Sequence, residues 1–366
     1  MTHNESRAND SMLSSFNNSD RLDLLNARYA STLLPLTIVL GLFGIVGIVG
    51  NVLVFIVYGC GKQFKDQKFR YYVSFLALID LVTCMTLIPA EMLKHQQYFN
   101  FTGSVWCKIK CFFNVFAAAA ASYCLVLVAI DRYMLTCRPV VFCKVRSISH
   151  GLAWRMCLIM LFLAVLTSLP SCILCGITSD VLRLSDDQTI FINVCEIEPY
   201  FEYGISRYVY RITLFILQVT ISVIMIVLYA RIGLEVWKAM RIRGAHGVDL
   251  TALSHHHHNH AQQPYQRAFV PAADIQRHQP PHQNIPSNLK LLFIVTVIYI
   301  VTYMFYLALS WVDQTRLSQT QFFAFSVFFR AYFIHSIINP LLYLKMDTLF
   351  RRRFKKIFST AFPCTR

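Results

Sequence analysis

"CFFNVFAAAAASYCLVLVAIDRYMLTC", residues 111–137, decides how the chain must be read. Cys111 to Ile130 form an unbroken run of twenty uncharged residues. About 20 mostly apolar residues are what an α-helix needs to cross a hydrocarbon core of about 30 Å. The run closes on an acid and a base side by side, Asp131 and Arg132. A segment made for lipid that ends this way places paired charges at the edge of a membrane.

The rest of the chain agrees with that environment. Of 366 residues, 56% are hydrophobic and 14% charged, against roughly 25% charged in an ordinary soluble domain. Seven segments are long and apolar enough to span a bilayer: approximately Leu33–Tyr58, Tyr71–Leu93, Ile109–Ile130, Met156–Ile177, Ile212–Ala230, Leu291–Val312 and Gln319–Leu344. A spanning barrel strand would need only about 9–11 residues and strict alternation. The fold class is therefore an all-α membrane protein, a seven-transmembrane helix bundle spanning residues 33–344.

Orientation follows from Lys and Arg, which favour the cytoplasmic side. With the N-terminus outside, the inner stretches hold 23 basic and 6 acidic residues and the outer ones 11 and 12. The net charge of +15 is thus cytoplasmic; it suits anionic lipid and calls for no nucleic acid. Residues 1–32 are polar and form an outer arm with Asn-x-Ser/Thr sequons at Asn4, Asn9 and Asn17; a fourth sequon, Asn100-Phe-Thr, follows the second span. The first apolar run, at about 26 residues, exceeds the 7–15 of a cleaved signal, so it is expected to stay in the membrane. Residues 238–288, rich in His, Gln, Pro and Ala, read as a long, disordered cytoplasmic loop whose His run lacks companion ligands for a metal. A transporter or channel would need repeated halves or a continuous polar path, and neither is seen.

Seven spans, an outer N-terminus and Asp131-Arg132-Tyr133 at the inner end of the third resemble a rhodopsin-like, class A, G-protein-coupled receptor. The resemblance runs from about residue 33 to 364. It includes Gly50-Asn51-Val52 in the first span, "LALIDL" with Asp80 in the second, and Cys107 set 25 residues before Arg132. Pro139 in the second inner loop and "NPLLY", Asn339 to Tyr343, at the end of the seventh complete it. An ionisable residue inside the membrane must face the interior and find partners, and Asp80 has Asn51, His335, Ser336 and Asn339, next to Pro340, within the same set of spans. The family often holds a sodium ion there. In this chain the Ser it commonly uses is Ala121, with Ser122 next door, and His335 replaces a usual Asn, which puts the ion in doubt; no other cofactor is implied.

Further expectations come with the family. It joins Cys107, at the outer start of the third span, to Cys195 in the second outer loop, although Cys111 lies one turn deeper as a competitor. Cys172-x-x-Cys175 has a metal-like spacing but no second pair. "VLRL-SDDQ-TIFINVC" alternates apolar and polar residues about a turn-rich tetrad, the pattern of a β-hairpin. In the family such a hairpin leaves a wide vestibule, similar to that of neuropeptide-type receptors. Gly176 to Ser206 holds six acids and one base, which would steer a basic ligand inward. Asn114 stands where amine receptors carry an Asp, and Phe333 where opsins carry the Schiff-base Lys. Candidate pocket residues are Glu91, Asn114, Tyr303, Tyr306 and Arg330, with Glu91 and Arg330 either paired or offered to a ligand terminus.

The switch region departs from the family. Thr302-Tyr303-Met304-Phe305 stands in place of Cys-Trp-x-Pro, Tyr299 replaces the Phe one turn below, and Ile221 takes the usual Pro position of the fifth span. Beyond Tyr343, "LFRRRFKKIF" sets Leu349, Phe350, Phe354, Ile357 and Phe358 against a basic face, an interfacial eighth helix. It lies in the terminal stretch 345–366, where Cys364 could carry a palmitoyl anchor. The family implies a plasma-membrane receptor, not an enzyme, for an extracellular neuropeptide-like ligand, coupled to a heterotrimeric G protein through Asp131, Arg132, Tyr133, Tyr229 and Tyr343. A small-molecule or lipid ligand, or weakened coupling, is the alternative.

Overall fold

Uncharged runs in lipid can satisfy their backbone N–H and C=O groups only internally, and the helix is the local way to do so. The computed structural model describes residues 18–60, 69–137, 150–185, 188–197, 205–256, 287–312 and 317–361. Its spanning elements are α1 (Asn18–Cys60), α2 (Phe69–Gln96), α3 (Ser104–Cys137), α4 (His150–Leu174), α5 (Ile205–His256), α6 (Ser287–Leu309) and α7 (Gln319–Met346). A short α8 (Thr348–Ala361) follows, and a two-stranded antiparallel sheet, β1 (Cys175–Ser185) and β2 (Gln188–Ile197), lies between α4 and α5. All seven expected spans are helices.

Several boundaries differ from those read in the sequence. α1 begins at Asn18, inside the arm assigned to residues 1–32, because its outer turns have something to bury against. Leu22, Leu25 and Tyr29 pack with Tyr98, Phe99, Ile190, Ile192 and Val194, and Asn26 accepts the Phe99 amide at 2.9 Å. α5 continues to His256, so the beginning of the stretch assigned as disordered from 238 is helical; residues 257–286 lie outside the described residues, as do Asn4, Asn9, Asn17 and Cys364.

α2 is interrupted just before Pro89. Proline lacks an N–H and crowds the carbonyl four residues earlier, and the backbone widens into a π-turn over Thr83–Leu87. One extra residue in a turn rotates everything beyond it by about 100°. The outer end of α2, including Glu91, is thereby re-aimed relative to Asp80.

The hairpin packs on the outer ends of α1 and α3 and on the segment after α2. Cys195 on β2 is bonded to Cys107 on α3, with Cα atoms 5.6 Å apart. Cys111, whose sulfur lies within 4.8 Å of both, remains a free thiol. Asn193 exchanges backbone bonds with Phe99 and Phe101 beyond α2, and Ile190 and Ile192 pack against α1. The half-buried Asn100 bridges to Asn193.

At the inner end, Asp347 caps α8 by accepting the Leu349 and Phe350 amides at 2.9 and 3.0 Å. The Tyr58 hydroxyl of α1 donates to the same carboxylate. A buried Phe350 on α8 stacks on Tyr58, ring centroids 5.7 Å apart.

α1 and α7 approach most closely at Gly50, where an added Cβ would stand 2.8 Å from two ring carbons of Pro340. A proline ring cannot move aside. Gly50→Ala is expected to destabilise the purified protein by about 1–3 kcal/mol, read as a lower Tm, whereas Gly233→Ala, which meets nothing within 4 Å, should not. Equal Tm for the two variants would contradict the close contact.

Candidate functional site

Polar side chains gather in separate groups at several depths of the bundle. Outermost, Glu91 of α2 lies between two cations: Lys110 Nζ of α3 at 2.6 Å and Arg330 Nη2 of α7 at 2.9 Å. Arg330 Nε donates to Glu91 at 3.0 Å and its Nη1 to the Ser326 carbonyl at 3.1 Å. Between the two possibilities left open for Glu91 and Arg330, they are paired here. Lys110 was not singled out in the sequence, because it falls at the margin of the third apolar run.

One turn below Lys110, Asn114 donates to the Tyr306 hydroxyl at 2.9 Å and accepts from Tyr332 at 3.1 Å. Asn114, Tyr303, Tyr306 and Tyr332 line one side of a cavity of ≈ 90 Å³; Leu217, Gln218 and Ile221 of α5 line the other. Three of the five candidate pocket residues are thus brought together, with the Glu91–Arg330 pair above them. Among the described residues the lining includes no carboxylate.

Below the cavity, tyrosine takes the place of the family's usual aromatic switch. The Ser122 hydroxyl donates to Gln218 Oε1 at 2.9 Å and is hydrogen-bonded to the Tyr299 hydroxyl, which also lies 3.1 Å from the Ala118 carbonyl. Tyr299 stacks near Tyr303, centroids 4.5 Å apart, and meets His335 edge-on at 5.6 Å. This joins α3, α5, α6 and α7. Only the adjacency of Ser122 to Ala121 hinted at it in the sequence.

The next layer gathers every residue expected in the central polar core. Asn339 Nδ2 donates to Asp80 Oδ2 at 2.8 Å, and His335 Nε2 lies 3.3 Å from Asp80 Oδ1. His335 Nδ1 bonds the Tyr332 carbonyl at 2.5 Å. Asn51 reaches the Ser336 carbonyl at 2.7 Å, not Asp80 itself, and the Ser336 hydroxyl lies 3.3 Å from His335.

At the inner end of α3, Arg132 lies 3.5 Å from Asp131 and places its guanidinium over the Phe69 ring, 4.8 Å from the centroid. Its Nε has no hydrogen-bond partner among the described residues. Tyr229 packs with Ala129, Ile232, Leu289 and the half-buried Tyr133, its hydroxyl accepting from Thr296 of α6 at 3.2 Å. Tyr343 is buried against Tyr58 and Phe350. Lys290 is exposed near the start of α6, where the family's second partner for the Arg would be acidic.

Residues 50–343 match the family described as 7 transmembrane receptor (rhodopsin family). The chain belongs to the rhodopsin family of seven-transmembrane receptors. It is a multi-pass membrane receptor and not an enzyme. Curated relatives include an allatostatin-A receptor of Bombyx mori, 29% identical over 130 residues that cover 36% of this chain and 35% of that receptor. An alpha-1A adrenergic receptor of Cavia porcellus is 28% identical over 131 residues, 36% of this chain and 28% of its own. A gastrin/cholecystokinin type B receptor of Sus scrofa is 27% identical over 95 residues, 26% and 21% of the two chains. The chain therefore spans about a third or less of the length of these three relatives.

The surroundings of Asp80 fit the sodium ion that the family implies only in part: Asp80 Oδ1, Asn51 Oδ1 and Asn339 Oδ1 are buried without hydrogen-bond partners among the described residues, but other ligands are missing. Ala121 offers no oxygen, and the Ser122 hydroxyl is engaged with Gln218 and Tyr299. The imidazole of His335 stands at the Asp80 oxygen that a cation would use. Replacing choline by sodium at constant ionic strength is expected to leave the Tm of the purified receptor unchanged. A sodium-dependent rise in Tm that Asp80→Asn abolishes would contradict this.

Proposed function

We propose that the receptor sits in the plasma membrane with its N-terminus outside, binds an extracellular peptide-like ligand in the cavity beneath the hairpin, and promotes nucleotide exchange on a heterotrimeric G protein. The observation that carries the coupling half is the state of Arg132. Its one ion pair among the described residues is the 3.5 Å contact with neighbouring Asp131. The contact is single and long, Arg132 Nε has no hydrogen-bond partner among the described residues, and the inner end of α6 adds a cation instead of a second acid. The resting state is accordingly shallow, and basal exchange is expected.

Opening the inner face requires α6 to leave α3 and α5. Without proline, α6 has no freed carbonyl at which to bend, and it runs as one helix from Ser287 to Leu309. We infer that it moves as a rod about Tyr299, near its middle, breaking the Thr296–Tyr229 bond and freeing Tyr229 and Tyr343 to pack beside Arg132.

The ligand half rests on the outer face. The excess of acids between Gly176 and Ser206 and a hairpin anchored on α1 and α3 suit a peptide with a basic portion. The relatives named above include receptors for both peptides and amines by title. The cavity lining, with Asn114 and no carboxylate among the described residues, does not favour an amine. The cavity is small, ≈ 90 Å³, which keeps a compact ligand as the second reading.

Basal exchange lets the coupling be tested without a ligand. In membranes matched for surface receptor, Arg132→Ala is expected to bring guanine-nucleotide uptake by added G protein down to the receptor-free rate. Asp131→Ala should raise it severalfold. Full basal exchange by Arg132→Ala would assign the pair to anchoring the helix at the headgroups.

A further inference from the structure

The outer ionic cluster does not balance. Two cations, Lys110 and Arg330, share one carboxylate, Glu91, whose Oε1 and Oε2 are each engaged by one of them. The three groups come from α2, α3 and α7, and Glu91 and Arg330 are buried at 7% and 6% exposure. Lys94, three residues along α2, adds a further positive charge, with its Nζ 5.5 Å from the Tyr98 ring centroid. No second acid pairs with Lys110 or Arg330 among the described residues.

An unpaired buried charge is costly, and membrane proteins keep one where something comes to meet it. Donors are also in reserve. An ammonium has three N–H groups, and Glu91 uses one of those on Lys110. His95, one turn beyond Glu91 on the same face of α2, is buried at 1% exposure and bonded through Nδ1 to Thr37 Oγ1 at 2.7 Å. The Thr37 hydroxyl donates to the Leu33 carbonyl at 3.0 Å, so His95 Nδ1 carries the ring proton and its Nε2 adds no donor.

The cluster and the cavity are joined by shared neighbours. Asn114 lies one turn, about 5.4 Å along the helix, below Lys110, and Tyr332, two residues after Arg330, bonds to it. Both line the cavity, whose far wall is formed by Leu214, Leu217, Ile221 and Gln218.

We propose that Lys110 and Arg330 form an anion subsite that receives a ligand's carboxylate, on an apolar or aromatic body that extends past Asn114 into the cavity. Glu91 holds the two cations in place and sets the affinity by sharing their charge. The inference rests on the reading of the chain as a ligand-binding receptor and names the chemistry of one end of that ligand. A peptide's free C-terminal carboxylate and an acyl-chain acid share this chemistry. The acidic outer loop would then attract the basic part of a peptide whose acidic terminus goes deep.

The test is the thermal shift of the purified full-length receptor with three probes: N-acetyl-Phe-Phe as the free acid, the same dipeptide as its amide, and decanoate. The acid is expected to raise Tm in a saturable way and the amide not to. Lys110→Gln should weaken the acid about tenfold or more, as expected for loss of a hydrogen bond to a charged group. Because that variant leaves Arg330 with Glu91 and could fold poorly, Glu91→Gln serves as the second. It removes the competing carboxylate and should tighten binding of the acid severalfold, which a purely structural salt bridge would not do.

A shift with decanoate but not with the dipeptide acid supports the subsite and assigns the carboxylate to an acyl chain. Equal shifts by acid and amide, no shift by either acid, or an acid affinity unchanged in both variants would overturn it. Thermal shift needs no G protein, so failure here is distinguishable from failure of the exchange measurements.

Discussion

The Asp80 carboxylate meets Asn339 and His335 in the middle of the bundle, and this contact sets the register of α7 against α2. Nine residues outward from Asn339, about 13.5 Å of helical rise, Arg330 arrives beside Glu91, which lies eleven residues beyond Asp80 and past the π-turn. Four residues inward, Tyr343 arrives against Tyr58, and Asp347 follows to cap α8. Pro340, next to Asn339, fits the Gly50 gap in α1. A shift of α7 by one residue would unpair a charge at two depths of a medium with no water to repair it.

Function follows from how unevenly those depths are satisfied. Asn339 answers one Asp80 oxygen and His335 faces the other, with tyrosines of α6 against its ring. At the outer end the charges are paired but not balanced, and at the inner end Arg132 is held by a weak neighbour and an aromatic face. A rigid middle with under-compensated ends suits a molecule that responds at both. The Ser122–Gln218–Tyr299 junction connects them, since it touches the cavity above and the His335 ring below.

Much of this was legible in the sequence because lipid imposes simple rules. Span lengths, the basic bias of one side and the alternation in "TIFINVC" gave the seven helices and the hairpin. Asp80 could be matched to Asn339 and His335 because few polar residues were available inside the membrane. What escaped depends on azimuth and on helix ends. Lys110 looked like the polar margin of a span, and nothing local to it marks Glu91 as its partner. The π-turn before Pro89 is invisible to a count of residues, yet it determines where Glu91 points. Tyr58 and Asp347 are 289 residues apart, and only the Asp followed by an amphipathic run gave a hint, as a helix cap. The outer turns of α1 had no apparent partner until the hairpin supplied one.

The central claim is that α6, lacking a proline hinge, tilts as one piece about Tyr299 when the inner face opens. Electron–electron double resonance between spin labels on α3 and α6 tests it most directly, with one pair at the inner ends and one at the outer ends, with and without nucleotide-free G protein. The account predicts that the inner distance lengthens while the outer distance shortens. An unchanged inner distance, or an inner change with the outer pair fixed, would contradict it.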